Sequence, residues 1–461
     1  MFGFGFRIAL IVFLALKAQL SERAAWRRLF GRSSSQWLTG ELEEAARKEG
    51  IRFAPRSSWS PTATGVCEDF SVRVELQPKR AAERDNQYWL HLCVTIAGPR
   101  IPQGLIFAPE RGTGDDVLTG DTVFDELVEV RGAPSILLAL LDREIRQRVS
   151  EFVRLGGRLE AGELVCCAPT AFSQGDLVRG LHLGLWLARE LSSPGGGVCE
   201  RLARNAKSDP LPGVRLWNLL QLHEQFPETR EARDASREDL KDPSPWVRLA
   251  AVRFLKDEGL EVLEHLAQDR AVPESAAAEA VALLAARCPA EHAGALILAA
   301  LKTHSGVARR QAVEELGRIR YPGARGPLIV LLERADPRTA AAAAAALAAL
   351  GDATAETALL KAMESDAREL RLAAVRALGT LGSAAAVEPL LAFLESRRLD
   401  ADTRYWIRDA VGAIQSRLAG AEAGQLSLAA TSPGSGWLSV APPDAGHGQL
   451  SLLPDRKRSS P

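Results

Sequence analysis

The sequence has no clustered histidines, no paired cysteine motif, no phosphate loop and no apolar run long enough to span a bilayer. Seven histidines (91, 182, 223, 265, 292, 304 and 447) include no HxH or HxxxH spacing, so the pattern a zinc site needs is missing. Arg111 to Asp116 is rich in glycine and acid, but no Gly-Lys-Ser/Thr follows it and no helix is expected to start there, which removes a nucleotide phosphate cradle. The six cysteines (67, 93, 166, 167, 199 and 288) contain no CxxC. Scattered in apolar contexts, they are expected to be buried thiols of a reducing compartment rather than a disulfide framework. Lysine is scarce as well: 9 of the 57 basic residues are Lys and 48 are Arg. With Asp+Glu at 58 the net charge is -1, which excludes a protein whose whole surface holds nucleic acid. No nucleophile–base pair is legible either, so no catalytic residue, metal ligand or cofactor site is assigned and a non-enzymatic protein is expected.

What is present falls into segments. At 461 residues the chain is too long for one ordinary core and calls for several domains, or one domain and a repeat array. Residues 2–16 read FGFGFRIALIVFLAL, with nine unbroken apolar residues from Ile8 to Leu16. A spanning helix needs about 20, a length reached only by tolerating Arg7, Lys17 and Gln19. Over residues 1–32 six basic side chains face one acid, Glu22, a charge of +5. Residues 1–34 are therefore expected to be a membrane anchor or an interfacial helix. The basic flank would keep the rest of the chain on the cytoplasmic side.

Residues 35–192 read as an α+β module. Leu38–Lys48 has helical spacing with Gly50 as its stop. Phe70, Val72, Val74 and Leu76 alternate with polar residues, as do Tyr88, Leu90, Leu92, Val94 and Ile96, so two antiparallel strands are expected. Shorter strands are expected at 104–108, 127–131, 157–160 and 163–167, and helices at 135–154 and 173–191. Asp121 and Asp125 could pose as a carboxylate pair, but a turn followed by packing of Phe124 is the simpler reading. This stretch, from Gly120 through Gly132 with a Leu-rich helix after it, resembles an uncharacterised α/β module found before helical repeats in some bacterial proteins; the resemblance implies no active site.

Residues 193–198 read as a linker, and 199–418 as repeats. Ala308–Gly317 (ARRQAVEELG) aligns with Leu370–Gly379 (LRLAAVRALG) at an offset of 62, and Ala343 and Leu347 mark a copy midway between them. Earlier copies begin at Val214 and Val247, a degenerate one covers Ala276–Leu284, and the last lies near Arg408–Ile414, about seven helical pairs in all. Small residues (Ala251, Ala312, Ala343, Ala374) fall where helices approach, and Leu255, Leu316, Leu347 and Leu378 fill the layer between units. Arg215, Arg248, Arg309 and Arg371 recur at one position. With Asp242, Asp336 and Asp366 they suggest N-caps and an inter-repeat Asp–Arg ladder of structural purpose. The pattern x-Val-Arg-x-x-Ala-Val-x-x-Leu-Gly, followed by a Pro-Leu-Leu helix, resembles short bacterial HEAT repeats, the type also found in phycobilisome lyases. The resemblance implies an α-solenoid scaffold or adaptor binding partners along a concave face. The residues that would mark a bilin lyase are missing, so an enzyme, either lyase-like or with a site in the α+β module joining His91, Cys93 and an acid, is the rival reading rather than the leading one.

Residues 419–461 are rich in Gly, Ser, Ala and Pro, the composition of a disordered tail. Within it G-x-L-S-[LV]-[AL] occurs three times with glycines 12 apart: Gln425, Leu426, Ser427 and Leu428; Trp437, Leu438, Ser439 and Val440; Gln449, Leu450, Ser451 and Leu452. Alternating apolar residues suit a strand that adds to a partner, or back onto residues 70–97. The Gln-Leu-Ser-Leu form also resembles sliding-clamp binding peptides, which implies DNA maintenance as a further alternative. The expected fold is thus a small α+β sheet module, then a HEAT-type α-solenoid, then the tail. The expected partners are proteins, with membrane association through residues 1–34 and no nucleic acid bound directly.

Overall fold

Strand alternation in the first third of the chain becomes one sheet. The computed structural model describes residues 40–55, 62–80, 88–110, 116–169, 174–192, 195–255, 258–396, 399–417, 426–430 and 436–440. It contains two compact units, Met1–Leu255 and Lys256–Pro461. In the first unit the strands are β1 (Ala54–Pro55), β2 (Thr62–Cys67), β3 (Phe70–Arg80), β4 (Tyr88–Ala97), β5 (Ile106–Pro109), β6 (Val128–Arg131), β7 (Gly157–Glu160) and β8 (Glu163–Pro169). Their order is β1-β2-β3-β4-β8-β7-β5-β6. The two long strands expected from sequence, β3 and β4, pair antiparallel with Val74 opposite Val94. The anchor expected at residues 1–34 lies outside the described residues, among which no helix is long and apolar enough to cross a membrane.

The period of two puts Val72, Val74, Leu92, Val94, Ile96, Leu164 and Cys166 on one face, where all are buried. Three helices pack much of the rest of that core: α1 (Gly40–Lys48), α4 (Arg143–Arg154) and α5 (Gln174–Ser192). Leu181 and Leu185 of α5 are fully buried, each contributing about 1.5–3 kcal/mol. Between α1 and α4 lie two shorter helices, α2 (Thr122–Asp125) and α3 (Pro134–Leu140). The single helix expected over 135–154 is therefore two. Leu141 leaves helical geometry, and Asp142 caps α4 by accepting the Ile145 N–H at 3.0 Å. The break lets α3 serve two cores: Leu137 and Leu140 face the sheet, while Leu138 and Ala139 join a second cluster.

That second cluster is formed by helices. α6 (Val198–Ser208), α7 (Pro212–Gln225), α8 (Arg230–Asp239) and α9 (Pro245–Phe254) make two pairs. Leu202, Leu219, Leu222, Val247 and Ala251 form its apolar centre together with Leu138 and Ala139 of α3. Contacts between module and repeats thus bridge residues 193–198, the expected linker, inside one compact unit.

The cysteine expectation needs correction. Cys93 and Cys167 form a disulfide, because antiparallel pairing of β4 and β8 sets them directly opposite each other with Cα atoms 4.1 Å apart. A separation of 74 residues hid that pairing from spacing alone. Cys67, Cys166, Cys199 and Cys288 are not in disulfides.

In the second unit five helix pairs follow. The first-layer helices are α10 (Leu260–Gln268), α12 (Ala290–Thr303), α14 (Arg325–Arg334), α16 (Glu356–Met363) and α18 (Val387–Ser396). The second-layer helices are α11 (Glu274–Arg287), α13 (Gly306–Arg318), α15 (Pro337–Leu350), α17 (Arg368–Leu381) and α19 (Ala401–Ser416). The second-layer helices stack on one another in order. Ala312, Ala343 and Ala374, with Leu316, Leu347 and Leu378, are completely buried along that stack, so the residues that define the repeat are those that join its units. Farther along the chain, β9 (Leu426–Ala430) and β10 (Gly436–Val440) form an antiparallel hairpin.

Candidate protein-interaction surface

A chain of buried charges fastens the sheet module to the first helix pairs. Arg146 on α4, 2% exposed, donates from Nε to Asp121 Oδ2 at 3.0 Å, from Nη1 to the Leu141 carbonyl at 2.8 Å and from Nη2 to Asp209 Oδ1 at 3.2 Å. Asp121 also caps α2 by accepting the Phe124 N–H, and Asp125 accepts from Thr119 and Gly120. The carboxylate pair noted in the sequence is therefore spent on a turn. Arg201 and Asn205 of α6 donate to the free carbonyls at the end of α3, Leu138, Ala139 and Leu140, where a helix terminus otherwise leaves acceptors unmet.

Gly120 shows how closely these parts meet. Its φ is +86°, and a Cβ there would lie 2.3 Å from the Gly213 carbonyl carbon at the start of α7. Gly120→Ala combines left-handed strain with a backbone clash, and is expected to destabilise the protein by about 2–3 kcal/mol. An unchanged urea midpoint would count against the contact.

The repeated arginines all reach back to the loop before their own helix. Arg215 donates to the Asp209 carbonyl (2.8 Å), Arg248 to Asp242 (2.9 Å), Arg309 to His304 (2.7 Å) and Arg371 to Ser365 (3.1 Å). Two also reach an acid of the following repeat. Arg215 makes a bidentate pair with Asp242 at 2.7 and 2.8 Å, and Arg371 meets Asp400 at 3.4 Å. Asp336 caps α15, whereas the cap position of α17 is Ala367, one residue past Asp366. Glu274 was not singled out in the sequence, yet its carboxylate accepts the Ser305 and Ala308 N–H groups that open α13. Its place 31 residues before Ser305, one repeat period, was the available signal.

Next to the bidentate pair lies an acid held in an unusual state. Asp239 is 4% exposed, and its Oδ2 has no hydrogen-bond partner. Burial, aided by the Asp242 carboxylate, pushes its carboxyl up to about 7. The folded protein then keeps a proton that the unfolded chain releases near pH 4, so Asp239 lowers stability progressively from about pH 4 to about pH 7 and no further above that. Asp239→Asn should abolish this component. Its stability gain over wild type should grow from pH 4.5 to pH 8 to a few kcal/mol, on the order of three pKa units. A difference that stays constant with pH in urea titrations would refute it.

The second-layer face of the second unit carries a groove across α13, α15 and α17. Arg310, Glu314, Arg338, Ala341, Ala342, Arg368, Glu369, Leu372, Ala373 and Arg376 line a volume of about 640 Å³. Its floor is small and apolar and its walls are charged. The wall ion pairs are open ones: Arg310–Glu314 at 4.0 Å and Arg338–Glu369 at 3.9 Å, separations that contribute little to stability at an exposed site. Arg376 lies 3.9 Å above the Trp406 ring of α19, and Tyr405 beside it is 61% exposed. Groove residues recur two before and one, two and five after the ladder position: Glu369, Leu372, Ala373 and Arg376 about Arg371; Arg310 and Glu314 about Arg309. In the first unit the same offsets give Trp217 and Trp246, 38% and 39% exposed.

Elsewhere the described residues offer little chemistry. A cleft of about 320 Å³ in the first unit is lined by Glu68, Asp69, Phe70, Pro99, Arg100, Arg189 and Ser192. Arg189 there is committed to Glu49 and Glu68, and burial pushes the neighbouring Cys67 thiol up, away from a reactive thiolate. His91 and Cys93 lie on one face of β4 with Glu75 opposite Cys93, but Cys93 is bound to Cys167 and is no nucleophile. Among the described residues no three His, Cys, Asp or Glu are placed to hold a metal ion. In the tail hairpin the first two motif copies pair with each other, Leu426 with Val440, Ser427 with Ser439 and Leu428 with Leu438. Gln425, Gln449, Leu450, Ser451 and Leu452 lie outside the described residues.

A family model of HEAT repeats matches residues 294–370 and 325–412, a span that holds α13 through α19 almost entire. No curated protein matches the chain.

Proposed function

We propose that this protein is a non-enzymatic scaffold that binds other proteins through the second-layer face of its helical repeats. The groove over α13, α15 and α17 carries the reading: it joins an alanine floor to charged walls. HEAT repeats, matched over this same region, are generally protein-interaction scaffolds. Residues 1–34 tether the protein to a membrane, with support from their apolar run and basic flank, and the tail motifs add short docking strands. The charge asymmetry of residues 1–32 favours the cytoplasmic face; the Cys93–Cys167 bridge removes the cysteine argument for it.

The test is affinity purification of the full chain beside Ala342→Glu, which sets a carboxylate into the groove floor. Wild type is expected to retain a stoichiometric partner that the variant loses while keeping its helix content. Recovery of the same partners by both would reject the groove as the binding surface. For the tether, residues 1–34 fused to a soluble reporter are expected to carry it to the membrane fraction; a fully soluble reporter would exclude that role.

A further inference from the structure

Within the scaffold reading, on which this inference rests, the groove's charges describe its occupant. We propose that it takes an amphipathic helix of a partner protein, with a narrow apolar stripe flanked by carboxylates.

Four guanidiniums line the groove, those of Arg310, Arg338, Arg368 and Arg376, against the two carboxylates of Glu314 and Glu369. Arg368 is paired with Asp402 of α19. Arg310 and Arg338 hold their acids only at 4.0 and 3.9 Å, and these four side chains are 35–74% exposed. Arg376 rests on the Trp406 ring and meets no carboxylate among the described residues. Three guanidiniums, one on each of α13, α15 and α17, are thus free to turn to an incoming acid at small cost. Arginine suits this role, because its planar fork binds a carboxylate bidentately.

The floor decides the shape of the occupant. Ala341, Ala342 and Ala373 project almost nothing above the helix backbones, and Leu372 gives one larger contact. A partner helix can therefore come close, as it does where small residues face it. Packed helices lie about 8–10 Å apart, so α13 to α17 spans about 20 Å, the length of roughly 13 helical residues at about 1.5 Å each. Trp406 and Tyr405 stand at the end of this path as aromatic anchors of the kind that dominate interface energetics.

Two labelled amphipathic peptides with the same leucine stripe test the assignment, one flanked by glutamates and one by lysines, each titrated into the full chain and read by fluorescence anisotropy. The acidic peptide is expected to bind at least about tenfold tighter, with an advantage that shrinks as salt rises. Arg338→Glu, and separately Arg338→Glu with Arg376→Glu, should erase the preference without moving the melting temperature, since both side chains are exposed. Equal affinity for the two peptides, or a preference that survives the double variant, overturns the proposal. If that happens while Ala342→Glu still releases the native partner, the scaffold reading stands and only the charge assignment falls.

Discussion

Arg146→Met is expected to destabilise the protein by about 3–5 kcal/mol, the usual cost of removing one partner from a buried ion pair. Arg146 is 2% exposed and lies between Asp121 and Asp209, which it meets at 3.0 and 3.2 Å. Without the guanidinium, Asp209, itself buried, loses its ion-pair partner beside the part-buried Asp121. The Leu141 carbonyl loses its donor as well. The origin of the loss can be separated. Arg146→Met with Asp121→Asn and Asp209→Asn removes the stranded charges, while Asn still caps α2 and still accepts the Leu211 N–H. The triple variant should recover about half or more of the lost stability, because replacing a whole buried ion cluster is often near neutral. Urea unfolding at neutral pH is the measurement. A triple variant no more stable than the single one would show that Arg146 acts by packing rather than by charge.

Gly317→Leu should cost about 3 kcal/mol or more in the second unit. A Cβ at Gly317 would lie 2.7 Å from both Cα and Cβ of Ala346, so α13 and α15 meet there backbone to backbone. No rotamer relieves a clash made by Cβ itself, and one helix must move away, beyond ordinary overpacking at about 1–3 kcal/mol. The displacement should stay local at first, because each repeat touches only its neighbours. Faster amide exchange is expected in α13 and α15 before α19. Arg318→Leu, one residue on at a half-exposed side chain, is the control and should change stability little. Equal loss in both variants would show that hydrophobicity, not close approach, is responsible.

Features carried by local periodicity were legible in the sequence. The alternation of 70–76 and 88–96 gave β3 and β4, and the 31-residue repeat with its buried Ala and Leu gave the stacked helices. Features carried by pairing between distant strands or helices were not. Nothing near Cys93 signals Cys167, which meets it only through the register of β4 and β8. Asp142 was hidden inside an otherwise continuous apolar pattern, so the helix break it caps went unseen. The bridge from Arg146 to Asp209 spans 63 residues and depends on the module packing with the first helix pairs inside the first unit. The groove was partly readable. Its residues sit at fixed offsets from the ladder arginines, but attention to that position picked out Arg371 and passed over Arg376, five residues on.

On the proposed reading, the second-layer face of the repeats binds protein. Amide hydrogen exchange of the full chain, with and without the partner retained in affinity purification, tests it most directly. Slowed exchange is expected on partner binding in Gly306–Arg318, Pro337–Leu350 and Arg368–Leu381, with little change in the sheet of the first unit. Protection confined to residues 40–192, or none in those three helices, would contradict it.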